Sequence, residues 1–232
     1  MLPHELTKQA EDKTAQLQWD DYVAKLRASG SLSSALAVCD VSGSMAGTPM
    51  DVAIALSILI SQVTEAPFDN LVCSFSQRPQ LFKLPPGSLD ERIKFLKRME
   101  WGMNTNFQAV FDLVLDQAQE AKLPSEKMIK TVFVFSDMGF DCASTSKTDH
   151  EEIKLKFGKA GYVVPRLVYW NLRGDRETCS KPALKSQNNV VLVSGYSGQL
   201  VRQFLENKLK TVDPMIFMID SLKFYQDLDL CD

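Results

Sequence analysis

The sequence predicts an α/β protein: a doubly wound, mainly parallel sheet with one antiparallel edge strand and helices on both faces. Two observations carry this expectation. Short uninterrupted apolar runs alternate along the chain with stretches of helical length, and an uninterrupted run is what a parallel strand covered on both faces requires. Polar loops adjoin these runs, and in doubly wound sheets the loops at the carboxyl ends of the strands gather at one edge, where ligands bind.

The elements follow in order. Residues 6–26 read as a charged helical segment with Leu17, Tyr22, Val23 and Leu26 as its apolar positions, ended by Ala28-Ser29-Gly30-Ser31. Residues 1–30 are therefore expected as a helical extension to a central domain over 31–210. Strand-like runs are Ala35–Cys39, Leu71–Phe75, Thr131–Phe135, Tyr162–Trp170 and Val190–Val193. Helix-like runs are Met50–Thr64, Ser88–Met99, Phe107–Ala121, His150–Lys159 and Gly198–Lys208. Gln80–Leu84 reads as an edge strand that closes a hairpin with Leu71–Phe75 through Gln77-Arg78-Pro79, where proline suits the turn. In residues 211–232, Met215, Met218, Ile219, Leu222 and Tyr225 recur at helical spacing. That segment is expected as a C-terminal helical extension packed on the domain.

Composition narrows the partners. At 232 residues the chain suits one large domain with short extensions, and 45% hydrophobic content supports a substantial core. Twenty-six basic against 29 acidic residues leave a net charge of −3, which argues against a nucleic-acid face. The most basic stretches, Arg92-Lys94-Lys97-Arg98 and Lys154-Lys156-Lys159, read as solvated helix faces. No apolar run reaches membrane-spanning length, and Met1-Leu2-Pro3-His4-Glu5 is no secretory signal. Cys39, Cys73, Cys142, Cys179 and Cys231 are odd in number and scattered, without a CxxC pair. Neither zinc nor a disulfide framework is indicated, and an intracellular, cytoplasmic monomer is expected.

The chemistry concentrates in three loops. Cys39-Asp40-Val41-Ser42-Gly43-Ser44-Met45 follows the first strand-like run. Alternate residues of an extended stretch point the same way, so Asp40, Ser42 and Ser44 can present a carboxylate and two hydroxyls to one point. Gly43 is expected to let the backbone turn sharply there. Thr105, in Trp101-Gly102-Met103-Asn104-Thr105-Asn106, adds a third hydroxyl, and Asp137, after Thr131–Phe135, adds a second carboxylate. All five are oxygen donors, with no His or Cys among them, a set that selects Mg²⁺ or Mn²⁺ over zinc. Each position also has an ordinary explanation: Ser42 and Ser44 in a hydrogen-bonded turn, and Asp40, Thr105 and Asp137 as helix caps. Their joint occurrence at converging loops favours a common metal site. His4 and His150 carry no such signal, and Trp101 reads as a packing residue.

These motifs resemble those of the von Willebrand factor A domain. Asp40-Val41-Ser42-Gly43-Ser44 matches that family's DxSxS signature, Asn104-Thr105-Asn106 is similar to its threonine loop, and Phe135-Ser136-Asp137-Met138-Gly139 to its aspartate loop. The resemblance spans residues 34–208. It implies a Rossmann-like sheet and a metal-ion-dependent adhesion site, with one coordination position open to an acidic residue of a partner protein and a carboxyl-terminal helix, here residues 198–208, whose movement can follow ligation. Two departures stand out: Met138 intervenes before Gly139, where many A domains read Asp-Gly, and Asp141 adds a nearby acid. Met45-Ala46-Gly47-Thr48-Pro49-Met50 and Phe135–Asp141 further resemble an intracellular plant and fungal group whose A domain is similar to that of the Ro ribonucleoprotein. On that resemblance the chain is the A-domain part of a longer protein, and any RNA is bound by a region outside it.

An enzyme fits less well. A haloacid-dehalogenase-type phosphatase needs an acid two residues after its nucleophilic aspartate, and that place is Ser42. No phosphate-cradling or dinucleotide glycine loop follows the first strand, and no histidine is placed for a hydrolase triad. The expected function is a protein-binding module with Met45, Met103, Met138 and Phe140 around the site as an adaptable rim.

Overall fold

The computed structural model describes residues 1–29, 32, 34–98, 107–137, 149–173 and 189–195. Six strands form one sheet: β1 (Ala35–Cys39), β2 (Leu71–Ser74), β3 (Leu81–Lys83), β4 (Thr131–Ser136), β5 (Arg166–Asn171) and β6 (Val190–Ser194). Their order is β3-β2-β1-β4-β5-β6, all pairs parallel except β2 with β3. This is the expected doubly wound arrangement with an antiparallel edge hairpin.

The period-2 geometry of a strand sends successive side chains to opposite faces, and the core divides accordingly. Ala35, Ala37 and Cys39 of β1, Phe133 and Phe135 of β4, and Val168 and Trp170 of β5 belong to one cluster. Leu36, Val38, Val132, Val134, Leu167 and Tyr169 belong to the other. The second face is covered by α5 (Phe107–Glu120) and α6 (Asp149–Lys159) through Val110, Val114, Ile153 and Phe157. On the first face lies α3 (Thr48–Val63), buried almost continuously from Val52 to Ser61. A helix apolar all round must be covered all round. The sheet covers one side of α3, and α1 (Pro3–Lys8), α2 (Lys13–Ser29) and α4 (Leu89–Arg98) cover others.

The opening segment is therefore two helices, broken at Gln9–Asp12, and both enter the main core. Leu6, Ala15, Trp19, Val23 and Leu26 share a cluster with the sheet. Trp19 is fully buried and its Nε1–H donates to Gln62 Oε1 at 2.6 Å. Leu17, expected as an apolar contact, is 69% exposed. The larger indole took the inward place because it buries more apolar surface in the shared core and still satisfies its N–H. Arg92, expected on a solvated face, is buried, with Nη1 donating to Asn70 Oδ1 at 2.9 Å. Cys39 and Cys73 are buried free thiols, as core residues should be, and burial pushes both up to about 12. Residues 198–208 and 211–232, and Cys142, Cys179 and Cys231, lie outside the described residues. Among the described residues no helix is long and apolar enough to cross a membrane.

Candidate metal centre at the sheet edge

The strand order reverses between β1 and β4: the chain leaves β1 towards β2 on one side, and β4 lies on the other. In open α/β sheets this switch point opens a crevice outside the carboxyl ends of the two strands. Register fixes what stands there. Cys39 pairs with Phe135, and the Asp40 N–H donates to the Phe135 carbonyl at 3.0 Å, so Asp40 lies alongside Ser136 and next to Asp137. Both carboxylates are buried, Asp40 at 1% and Asp137 at 4% exposure.

Short contacts hold the Asp40 carboxylate in place. Oδ1 accepts the Ser42 N–H at 2.9 Å, and Oδ2 accepts the Ser136 hydroxyl at 2.8 Å. The Ser42 and Ser44 hydroxyls lie 2.9 Å apart, both half-buried. Between and beyond them Gly43–Met45 forms a single 3-10 turn, closed by Met45 N–H to the Ser42 carbonyl at 2.9 Å. Met45 is fully buried in the core cluster, not on a rim. It anchors the loop from below, because a side chain directed inward at this point finds apolar space beside α3. Gly43, expected to supply the sharp turn, has no left-handed backbone angle and open space where a Cβ would sit. The position that needs glycine is Gly47, at φ +92°, which starts α3. Asp40 therefore does not cap that helix. Its contact with the Ser42 N–H is the turn bond that the ordinary reading expects, but such a turn does not call for a second buried carboxylate beside it.

Burial pushes the Asp40 carboxyl above the usual carboxylate range, with Asp137 adding to the push, while the Ser42 and Ser136 donors oppose it. Buried charges ordinarily are paired or ligate a metal. Asp40, Ser42 and Ser44 carry oxygen donors on the loop after β1, and Asp137 carries another at the end of β4, near Asp40. Among the described residues no group of three or more His, Cys, Asp or Glu gathers; the donors present here are two carboxylates and two hydroxyls, oxygen ligands of the kind a hard cation takes. On donor chemistry the residues fit Mg²⁺ or Mn²⁺. Thr105, Trp101, Met103, Met138, Phe140 and Asp141 lie outside the described residues.

Two contributors were not singled out in the sequence. Ser136, the last residue of β4, is the donor to Asp40 Oδ2. Arg173 follows β5: its N–H donates to Asn171 Oδ1 at 2.9 Å, and its Nη1 donates to the Ser44 carbonyl. The turn that carries it is joined to β4 by the Leu172 N–H and the Ser136 carbonyl at 2.9 Å. An arginine two residues past a parallel strand's carboxyl end is the signal that would have pointed to it.

The chain is 38% identical over 231 residues to Uncharacterized protein L728 of Acanthamoeba polyphaga mimivirus, an alignment covering 96% of this chain and 40% of that protein. The chain thus spans well under half of that relative's length. Among solved structures, the Ro (RSR) protein of Deinococcus radiodurans is similar with a TM-score of 0.49 and 18% identity, over 77% of this chain and 35% of that one. A likeness of that degree bears on neither ligand nor activity. Residues 34–218 match the model of the domain of unknown function DUF7788, and the chain belongs to that family.

Proposed function

We propose that this domain is a divalent-metal-dependent protein-binding module that docks an acidic residue of a partner on Mg²⁺ or Mn²⁺. The observation that carries the reading is the pair of buried carboxylates, Asp40 and Asp137, at the switch point of the sheet, beside the Ser42–Ser44 hydroxyl pair. The motif resemblance to the von Willebrand factor A domain supports it. Asp40, Ser42, Ser44 and Asp137 would hold the ion, with Thr105 as the fifth residue of the set. When bound, the ion supplies an electrophilic position for a carboxylate oxygen. The chain's own part is to hold the donors. Ser136 fixes one oxygen of Asp40, the Ser42 N–H the other, and buried Met45 keeps the hydroxyl loop seated. Neutral hydroxyls leave the ion electrophilic, and Mg²⁺ yields its waters only to a well-presented oxygen. The place two residues after Asp40, where a phosphatase of the haloacid-dehalogenase type needs its general acid, is Ser42, and this favours a binding module over that enzyme.

Calorimetric titration with Mg²⁺ and Mn²⁺, and thermal melts with and without EDTA, test the metal. Wild type should bind and melt higher with metal, because a ligand of the native state stabilises it by mass action, and Asp40→Ala should do neither. Equal titrations for the two proteins would remove the metal. Pull-downs in Mg²⁺, in EDTA, and with Ser42→Ala/Ser44→Ala protein test the docking: a partner retained equally in all three does not bind through the ion. Phosphatase activity abolished by Asp40→Asn would overturn the non-enzyme reading. A second reading, a Ro-like ribonucleoprotein with RNA bound outside this chain, draws on the 60% of the mimiviral relative's length that this chain does not cover. It requires that this chain alone give no mobility shift with RNA.

A further inference from the structure

We propose that the amino edge of the sheet, opposite the candidate metal centre, carries a second docking site: a cleft beside Val163 and Val164 that takes an extended segment of a partner protein in which apolar and acidic residues alternate. The observations start where β5 starts. The Arg166 N–H donates to the Lys130 carbonyl at 2.8 Å, and Pro165 before it has no N–H to add to a ladder. Upstream of that bond a cleft of about 390 Å³ is lined by residues of both segments, those leading into β4 and those leading into β5. Its size lies within the ~300–1,000 Å³ of ligand pockets. Buried Met128 and Ile129 line it from the first segment, Val163 and Val164 from the second. Tyr162 and Val164 pack on the core cluster that holds Met128 and Ile129, while Val163 between them is 76% exposed.

That alternation is the mark of an extended chain, yet the backbone N–H and carbonyl groups of Val163 and Val164 enter no hydrogen bond among the described residues. An extended chain turns the polar groups of successive residues to opposite sides. One residue of the pair therefore keeps a donor and an acceptor open on each side, the template on which a second chain adds a strand. Two features select the occupant. Lys130 lines the cleft, is exposed and has no carboxylate partner among the described residues, and no acidic side chain lines the cleft with it. A carboxylate on the entering segment gains a charge-assisted contact there. Val163 also carries apolar surface out of the cleft, which a polypeptide covers and a small molecule seated within the cleft does not. The site is independent of the metal reading, since it uses the other ends of the strands.

The test uses the whole ¹⁵N-labelled chain and the peptide acetyl-Val-Asp-Val-Asp-Val-Asp-amide as probe, read by amide chemical shifts and hydrogen exchange. The Val163 and Val164 amides should shift on titration and exchange several-fold more slowly, in EDTA and in Mg²⁺ alike. Lys130→Gln should weaken binding roughly tenfold, the worth of one charge-assisted contact. A peptide with asparagine in place of aspartate should bind wild type as weakly and not distinguish it from Lys130→Gln. N-methylation of the peptide backbone should remove the exchange protection. No shift at Val163 and Val164 with millimolar peptide overturns the proposal. So does binding that EDTA or Asp40→Ala abolishes, which would assign the peptide to the metal centre. Isovalerate binding there as tightly as the peptide would make the cleft a small-molecule site, and concentration-dependent shifts there without peptide would make it an interface between copies of this chain; either overturns it. Should Lys130→Gln fail to fold, the aspartate and asparagine peptides on wild type decide.

Discussion

The hydroxyl of Ser136 donates to Asp40 Oδ2 at 2.8 Å, across 96 residues of sequence and entirely out of solvent. The bond ties the carboxyl ends of β1 and β4, the two strands on either side of the switch point. It gives a buried carboxylate one of the donors that keep it ionisable. Ser136 is thus part of the site without being among its candidate ligands.

Ser136→Ala should therefore destabilise the protein by about 1–3 kcal/mol, the cost of leaving one buried acceptor of a charged group without its donor. Combined with Asp40→Asn the loss should not add, because the two changes act on one bond. Urea denaturation of the two single variants and the double variant checks this; additive losses would show that the bond carries no coupling.

Trp19→Ala should cost about 3–5 kcal/mol, as for other large aromatic truncations in cores. The indole is fully buried in the cluster shared with the sheet, and its N–H is satisfied by Gln62. A loss below about 1 kcal/mol would mean that α2 lies outside the cooperative unit. Chemical denaturation followed by tryptophan fluorescence and by circular dichroism would report both the size and any separate transition.

Much of this architecture was legible in the chain, for a definite reason. The run Ala35–Cys39 is apolar on both faces and stops at an acid, so both its burial and its end are written locally. The same holds for Asp137 after β4. Where a run's pattern is ambiguous the reading slips: Tyr162–Pro165 is apolar but does not pair, and β5 starts only at Arg166. Tyr162 instead packs beside α5 and gives its hydroxyl to the Leu123 carbonyl at 2.9 Å. The break between α1 and α2, and the choice of Trp19 over Leu17, depend on the shape of α3 beneath them. The position of Arg173 just past β5 was legible, but its contact with the Ser44 carbonyl was not, because that follows from strand order, which no local pattern encodes.

His4 should make part of the stability pH-dependent. Burial against α3 holds its imidazole below its ordinary value, with Lys8 adding to this and Glu5 and Asp51 opposing. The folded state therefore prefers the neutral ring more than the unfolded chain does. The stabilisation is present above the unfolded value near 6.5 and is lost as pH falls through the lower folded value. Urea midpoints between pH 7.5 and 5, compared for wild type and His4→Gln, should show a shallower fall for the variant. Parallel profiles would place His4 outside the acid response.

Asp137→Asn should separate a metal site from a structural turn by the sign of its effect. Asp40 and Asp137 are both buried at the ends of neighbouring strands, and the Asp137 charge is among the causes that push the Asp40 carboxyl up. The Asp137 charge makes the Asp40 carboxyl harder to ionise, so without a cation removing that charge while keeping its shape relieves the protein. Metal-free Asp137→Asn should be more stable than wild type, by about 0.5–2 kcal/mol, the usual gain from a single stabilising substitution. With Mg²⁺ at a hundred times its Kd the wild type should gain about 2.7 kcal/mol and the variant almost nothing. The order of melting temperatures should therefore invert between EDTA and Mg²⁺. A cap or turn residue behaves in the opposite way: loss of its carboxylate lowers stability whether or not metal is present. Differential scanning calorimetry of both proteins in both buffers yields the four values needed. A variant that melts below wild type in EDTA, by the same margin as in Mg²⁺, would leave Asp137 as a structural residue and remove the second charge from the proposed site.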